Sequence, residues 1–205
     1  MSKGVIITLS VIGALALIVL MIVSWGVGIN NKLVASDEAV KSAWSQVENQ
    51  YQRRYDLIPN LVKTVERFAK QEKDVFVGVA EARASVGQIK MTPEMLRDPQ
   101  AFQRFQQAQD GLSSALSRLM VVVEKYPDLK SNENFLDLQS QLEGTENRIA
   151  VERRNFNETV QSYNVLLRQF PHSIIAGIGG FREAQYFKSV AGAATAPQVN
   201  FGTQP

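Results

Sequence analysis

The sequence contains no cysteine among its 205 residues. A disulfide framework, a thiolate metal site and a cysteine nucleophile are therefore excluded. Histidine is nearly absent as well: His172 is the only one, which removes most zinc and histidine-base chemistry. Charge of one sign is also missing. The 22 Lys and Arg are interspersed with 20 Asp and Glu, for a net +2, so no nucleic-acid partner is expected. No stretch alternates like a strand; Val121-Val122-Val123 is β-branched but lies inside a helical stripe. Carboxylates are present at Glu72, Glu124, Glu143, Glu146 and Glu152, yet a di-iron bundle site needs Glu-x-x-His pairs on two helices, and the chain has none. The Gly177-Ile178-Gly179-Gly180 stretch follows no strand and lacks the dinucleotide pattern. The expectation is a protein without cofactor or metal, and not an enzyme.

What the chain does have begins at its first residues. Val5 to Ile29 is uncharged and built mostly of Val, Ile, Leu, Ala and Met. As a helix it spans roughly 37 Å, enough to cross a bilayer. The run is too long for a usual signal-peptide core, so an uncleaved single-pass anchor over residues 1–30 is expected. Val5, Ile12, Leu17 and Met21 would face lipid, with Trp25 at an interface. Lys3 lies on one side, Lys32 and Lys41 on the other, so the charge rule does not orient the span. Gly4, Ser10, Gly13 and Ala14 are small enough for helices to pack closely in the membrane.

Residues 31–170 carry three helical stripes. Val40, Trp44, Val47, Tyr51, Arg54, Ile58, Leu61, Val65, Phe68, Glu72, Val75 and Val79 recur at alternating fours and threes, as a bundle seam does. Pro59 interrupts this pattern, and a kink over residues 57–60 is expected. Asp98-Pro99 opens a second helix with a stripe of Phe102, Phe105, Leu112, Leu116, Leu119, Val123 and Tyr126, ended by Pro127. A third helix, capped by Ser131 or Asn132, carries Phe135, Leu138, Leu142, Ile149, Phe156, Val160, Tyr163, Leu167 and Phe170. The fold class is all-α: a transmembrane helix, then an elongated antiparallel bundle of three long helices, or four if Pro59 divides the first.

Several seam positions are polar: Arg54, Glu72, Thr145 and Glu152, with Gln109 on the middle helix. Buried polar groups must be paired, so a polar layer fixing helix register is expected. The RRYD (Arg53, Arg54, Asp56) and ERRN (Glu152, Arg153, Arg154, Asn155) clusters are candidates to pair across helices. Residues 171–205 read as a glycine-rich apolar loop and tail, in which Gly177, Gly179 and Gly180 oppose helix formation. Ile174, Ile175, Ile178, Phe181 and Phe187 form the candidate contact with lipid or a neighbouring subunit. The competing reading is a disordered tail.

The sequence resembles the LemA family of bacterial membrane proteins. The resemblance is carried by RRYDLIPNLV (53–62), EARA (81–84), EKYPDLKSNENFLDLQSQLEGTENRIAVERRNFN (124–157), YNVLLRQFP (163–171) and IAGIGGF (175–181). It implies a single-pass protein of the bacterial inner membrane with its bundle in the cytoplasm. It supplies no catalytic residues. The expected function is a membrane-anchored scaffold that self-associates into a homo-oligomer and organises or shapes the membrane, its partners being the bilayer and copies of itself. The alternative is an adaptor coupling the membrane to an unidentified soluble partner, such as a sensor kinase or protease.

Overall fold

The computed structural model describes residues 3–188. Its first helix, α1 (Lys3–Phe68), is 66 residues long and spans about 100 Å at 1.5 Å per residue. Through residues 9–27 the large side chains are exposed on every face; Leu17 and Met21 are 67% and 72% open. From Ile29 onward the same helix acquires a buried edge: Ile29, Leu33, Val40, Trp44, Val47, Tyr51, Ile58, Leu61 and Val65. The seam therefore starts about three turns earlier than its expected first member, Val40.

Pro59 lies within α1 without ending it. A proline there leaves the carbonyl of Tyr55, four residues earlier, without its helical donor. Arg83 fills that role: its Nε donates to the Tyr55 carbonyl at 3.4 Å, and its guanidinium lies 3.8 Å from the Tyr55 ring centre. The helix ends instead at residues 69–72. There Gln71 donates to the Tyr126 hydroxyl at 2.8 Å and that hydroxyl donates to Glu72 at 3.2 Å. The phase of the seam changes at this break. Phe68, expected inside, is 38% exposed, and Ala69 is buried in its place.

After the break come α2 (Lys73–Gly87), a 3-10 turn (Pro93–Arg97), α3 (Pro99–Val123), the short α4 (Pro127–Lys130), α5 (Glu133–Arg168) and α6 (His172–Ile178). The α1, α2, α3 and α5 rods run up, down, up and down, so the bundle has four principal helices with the division at 69–72, not at Pro59. Asp98 caps α3 by accepting from the Gln100 and Ala101 amides, and Asn132 caps α5 by accepting from Phe135. Each satisfies amides that a helix start leaves orphaned.

The core divides into two apolar clusters. The cluster nearer the apolar end of α1 holds Trp44, Tyr51, Phe102, Phe105, Ile149, Phe156 and Val160. The far one holds Ile58, Leu61, Leu112, Leu116, Leu119, Phe135 and Leu142. Phe156 is fully buried while Val151, on the same helix, is half exposed. Phe156→Ala is expected to cost about 3–5 kcal/mol and Val151→Ala less than about 0.5 kcal/mol, read from thermal unfolding followed by circular dichroism in detergent.

Candidate functional site

The junction of the two clusters is polar. Arg54, 2% exposed, comes one turn after Tyr51 and one before Ile58. Its Nη1 donates to Ser113 Oγ at 2.9 Å and to Glu146 Oε1 at 2.7 Å, and its Nη2 donates to Gln109 Oε1. The guanidinium also sits 5.2 Å from the Tyr51 ring centre. One side chain thus ties α1 to α3 and α5 at a single level. Glu146 is 41% open, so the pair drains toward solvent on one side, and its charges are not both sealed in apolar surroundings.

A second polar cluster lies nearer the apolar end of α1. Arg97 reaches Asp37 at 2.5 Å and Lys41 reaches it at 3.1 Å. Burial alone would raise the Asp37 carboxyl, but the hydrogen bonds from Arg97 and Lys41 outweigh it and hold the group below its ordinary value. Tyr163 stands beside this pair. Burial, and then the Asp37 charge, push its hydroxyl up to about 12, so it remains a donor, to the Arg182 carbonyl at 3.1 Å.

That last bond belongs to a strap. Residues 181–188 run extended over α3 and α5, held by side chains that read backbone. Asn164 both donates to the Ala184 carbonyl and accepts from its amide, each at 2.9 Å. Asn157 does the same for Phe187 at 3.1 and 2.9 Å. Gln106 Nε2 donates to the Lys188 carbonyl at 2.7 Å, and the Gln185 amide donates to the Leu96 carbonyl at 2.8 Å. The strap delivers Phe187 into the aromatic cluster, 5.0 Å from Phe102, 5.5 Å from Phe156 and 6.1 Å from Trp44 between ring centres, with Arg153 over its outer face at 4.5 Å.

The glycines that precede the strap are a helix stop. Phe181 N donates to Ala176 O at 3.0 Å and Gly180 N to Gly177 O at 3.4 Å, with Gly180 at φ +71°. This is the paired closure that left-handed glycine allows at a helix C-terminus. Among the described residues no three Asp, Glu or His side chains converge as a metal site. An open groove of about 900 Å³ has a mixed lining, with Lys90, Glu94, Asp98 and Arg104 beside Ile89 and Met95.

The LemA family matches residues 43–201. The chain belongs to the LemA family. It is 31% identical over 173 residues to the magnetosome protein MamQ of Magnetospirillum gryphiswaldense. It is 30% identical over 174 residues to MamQ 1 and MamQ 2 of Paramagnetospirillum magneticum. Each match covers 77% of this chain and 64% of the relative, so the chain spans less than two thirds of the length of the curated relatives it matches.

In this LemA-family chain the expected polar residues separate. Arg54 and Gln109 meet. Thr145 is buried but donates to the Gln141 carbonyl of its own helix at 2.7 Å. Glu72 belongs to the turn before α2, and Glu152 accepts from Asn155 at 3.1 Å on the surface. The layer is therefore Arg54, Gln109, Ser113 and Glu146, because the seam slips phase at Ala69 and Glu152 points off it. RRYD and ERRN supply no mutual ion pair among the described residues: Arg54 takes Glu146, and Asp56 accepts from Gln52. Of the anchor residues, Ile12, Leu17, Met21 and Trp25 are exposed, and the Val5 side chain lies outside the described residues. Of the expected contact residues, Ile174 and Ile178 are exposed, whereas Ile175 and Phe181 pack on the core and Phe187 is buried. Residues 171–188 are thus part of the bundle and not a separate loop; 189–205 lie outside the described residues.

Two expectations follow. Arg54→Ala leaves a void and strands Gln109, and should cost about 3–5 kcal/mol, whereas Arg54→Met, which keeps the volume, should cost markedly less; chemical denaturation separates them. Asp37→Asn should cost about 1–2 kcal/mol at neutral pH. A depressed carboxyl contributes stability above its unfolded value, 3.8 here, and loses it as pH falls through the lower folded value. The gap between Asp37→Asn and the parent should therefore close below about pH 4, measured by unfolding across pH.

Proposed function

We propose that this chain is a membrane-anchored scaffold that self-associates into a homo-oligomer in a bacterial membrane and organises that membrane, with its bundle on the cytoplasmic side. The observation that carries the reading is the continuity of α1. The apolar segment and the bundle seam share one helix from Lys3 to Phe68, with no linker between them. A bundle mounted this way stands rigidly off the bilayer, which suits a structural element better than a tethered enzyme.

Two further features support self-association. Through residues 9–25 the apolar part of α1 is exposed on every face, and only 6% of its most apolar window is buried. Gly13 has open space where a Cβ would lie, and small residues in a span allow close helix approach. The relatives are named magnetosome proteins, which agrees with a structural role at a membrane. The open groove between the end of α2 and α3, where Lys90, Glu94, Asp98 and Arg104 stand beside Ile89 and Met95, favours the second reading, an adaptor for a soluble partner with a mixed charged and apolar surface.

The protein extracted in several mild detergents is expected to behave as a large homo-oligomer by multi-angle light scattering. A monomer in all of them sinks the scaffold reading. Co-purification of a stoichiometric foreign protein with that monomer favours the adaptor.

A further inference from the structure

The apolar end of α1 is not the only greasy surface at that level. The last residues of α5 and the whole of α6 fold back toward it. Ile175 Cδ1 comes within 3.8 Å of where a Cβ on Gly26 would sit. Gly26 lies inside the uncharged Val5–Ile29 run, one turn short of its end. Beside it Trp25 is 55% exposed. So α6 sits not below the span but alongside its final turn.

Its two faces are both apolar, and they differ in what covers them. Ile175 and Ala176 pack on the bundle core. Ile174 and Ile178, four residues apart and hence on one face, point away from it, 54% and 81% exposed, and Phe170 just before the helix is 81% exposed. Three large apolar side chains left exposed within nine residues of chain mark a contact surface. The chain itself fixes what lies there. A helix that crosses the bilayer through residues 5–29 brings lipid to the level of Gly26, and α6 is held at Gly26.

We propose that Phe170, Ile174 and Ile178 insert into the interfacial layer of the same bilayer that α1 crosses, giving the protein a second, monotopic membrane contact. The occupant is acyl chain and headgroup boundary, the environment that an apolar helix face lying in the interface plane prefers. This contact fixes the tilt and rotation of the bundle, which one span alone leaves free. It rests on the membrane-anchor part of the proposed function, though not on self-association.

The absence of cysteine makes the test direct. Single substitutions Ile178→Cys, Ile174→Cys, Leu17→Cys and Val121→Cys, each spin-labelled in the full chain, are reconstituted into phosphatidylethanolamine–phosphatidylglycerol vesicles. Collision with oxygen and with a water-soluble nickel chelate is then compared. The labels at 174 and 178 are expected to see oxygen several-fold more than nickel, as the label at 17 does, while the label at the far-end position 121, 64% exposed, sees the reverse. A nickel-dominated signal at 174 and 178 with a lipid-like signal at 17 overturns the proposal and leaves the anchor standing. Shielding from both reagents at 174 and 178 also overturns it, and assigns the face to a second copy. A water-like signal at 17 removes the anchor and this contact together.

Discussion

The Arg54 guanidinium is the constraint on which the rest of the bundle depends. Apolar side chains specify that helices pack but tolerate sliding by a turn, because one Leu fills a gap much as another does. A buried cation does not tolerate it. Only one register of α1, α3 and α5 brings Gln109, Ser113 and Glu146 to the same guanidinium. The apolar clusters on either side then fall into place: Tyr51, Phe105 and Ile149 above the layer, Ile58, Leu112 and Leu142 below it. The desolvation cost is contained because Glu146 keeps contact with water, so the layer gives specificity without sealing an ion pair in a dry interior.

With the register fixed, the length of α1 follows from repair at Pro59. An interior proline weakens a helix by removing one donor and crowding one carbonyl. Here α2 folds back so that Arg83 meets that carbonyl and covers the Tyr55 ring. The break at 69–72 falls in Ala-Lys-Gln-Glu, residues that form helix well. Its position belongs to tertiary structure, since Gln71 and Glu72 converge on the Tyr126 hydroxyl from the end of α3.

This explains what could be read from the chain and what could not. The stripe positions Val40, Leu116 and Phe156 are buried as their spacing implies, because helical periodicity is a local property. The caps at Asp98 and Asn132 were legible for the same reason. Whether Pro59 divides the first helix could not be read locally, because the carbonyl it orphans is met by Arg83, a residue 24 positions away. Phe68 and Glu72 misled because a seam extrapolated across a helix end loses its phase. Glu146 was visible as a carboxylate, but its partner depends on three-dimensional register. The strap left only a faint mark: Asn157 and Asn164 stand seven apart on one face of α5, a spacing that could have flagged paired amides facing a common strip. Glycine-rich sequence at 177–180 suggested a break in order, and it is a helix stop that launches an ordered segment.

The strap and α6 have a joint mechanical consequence. Because Asn157, Asn164 and Gln106 hold backbone and not side chains, they impose an extended path whatever residues 181–188 are. The path ends by placing Phe187 against Trp44 on α1. At its other end the same segment is joined through Gly180 to α6, which rests on α1 at Gly26. The two contacts with α1 lie about 27 Å apart along the helix, taking 18 residues at 1.5 Å each. A displacement of α6 relative to the span must therefore pull on the Phe187 ring or break the amide clamps. The end of the bundle at the apolar segment and the aromatic core are coupled by covalent chain and not by packing alone, so a force applied at α6 reaches Trp44 without passing through the Arg54 layer.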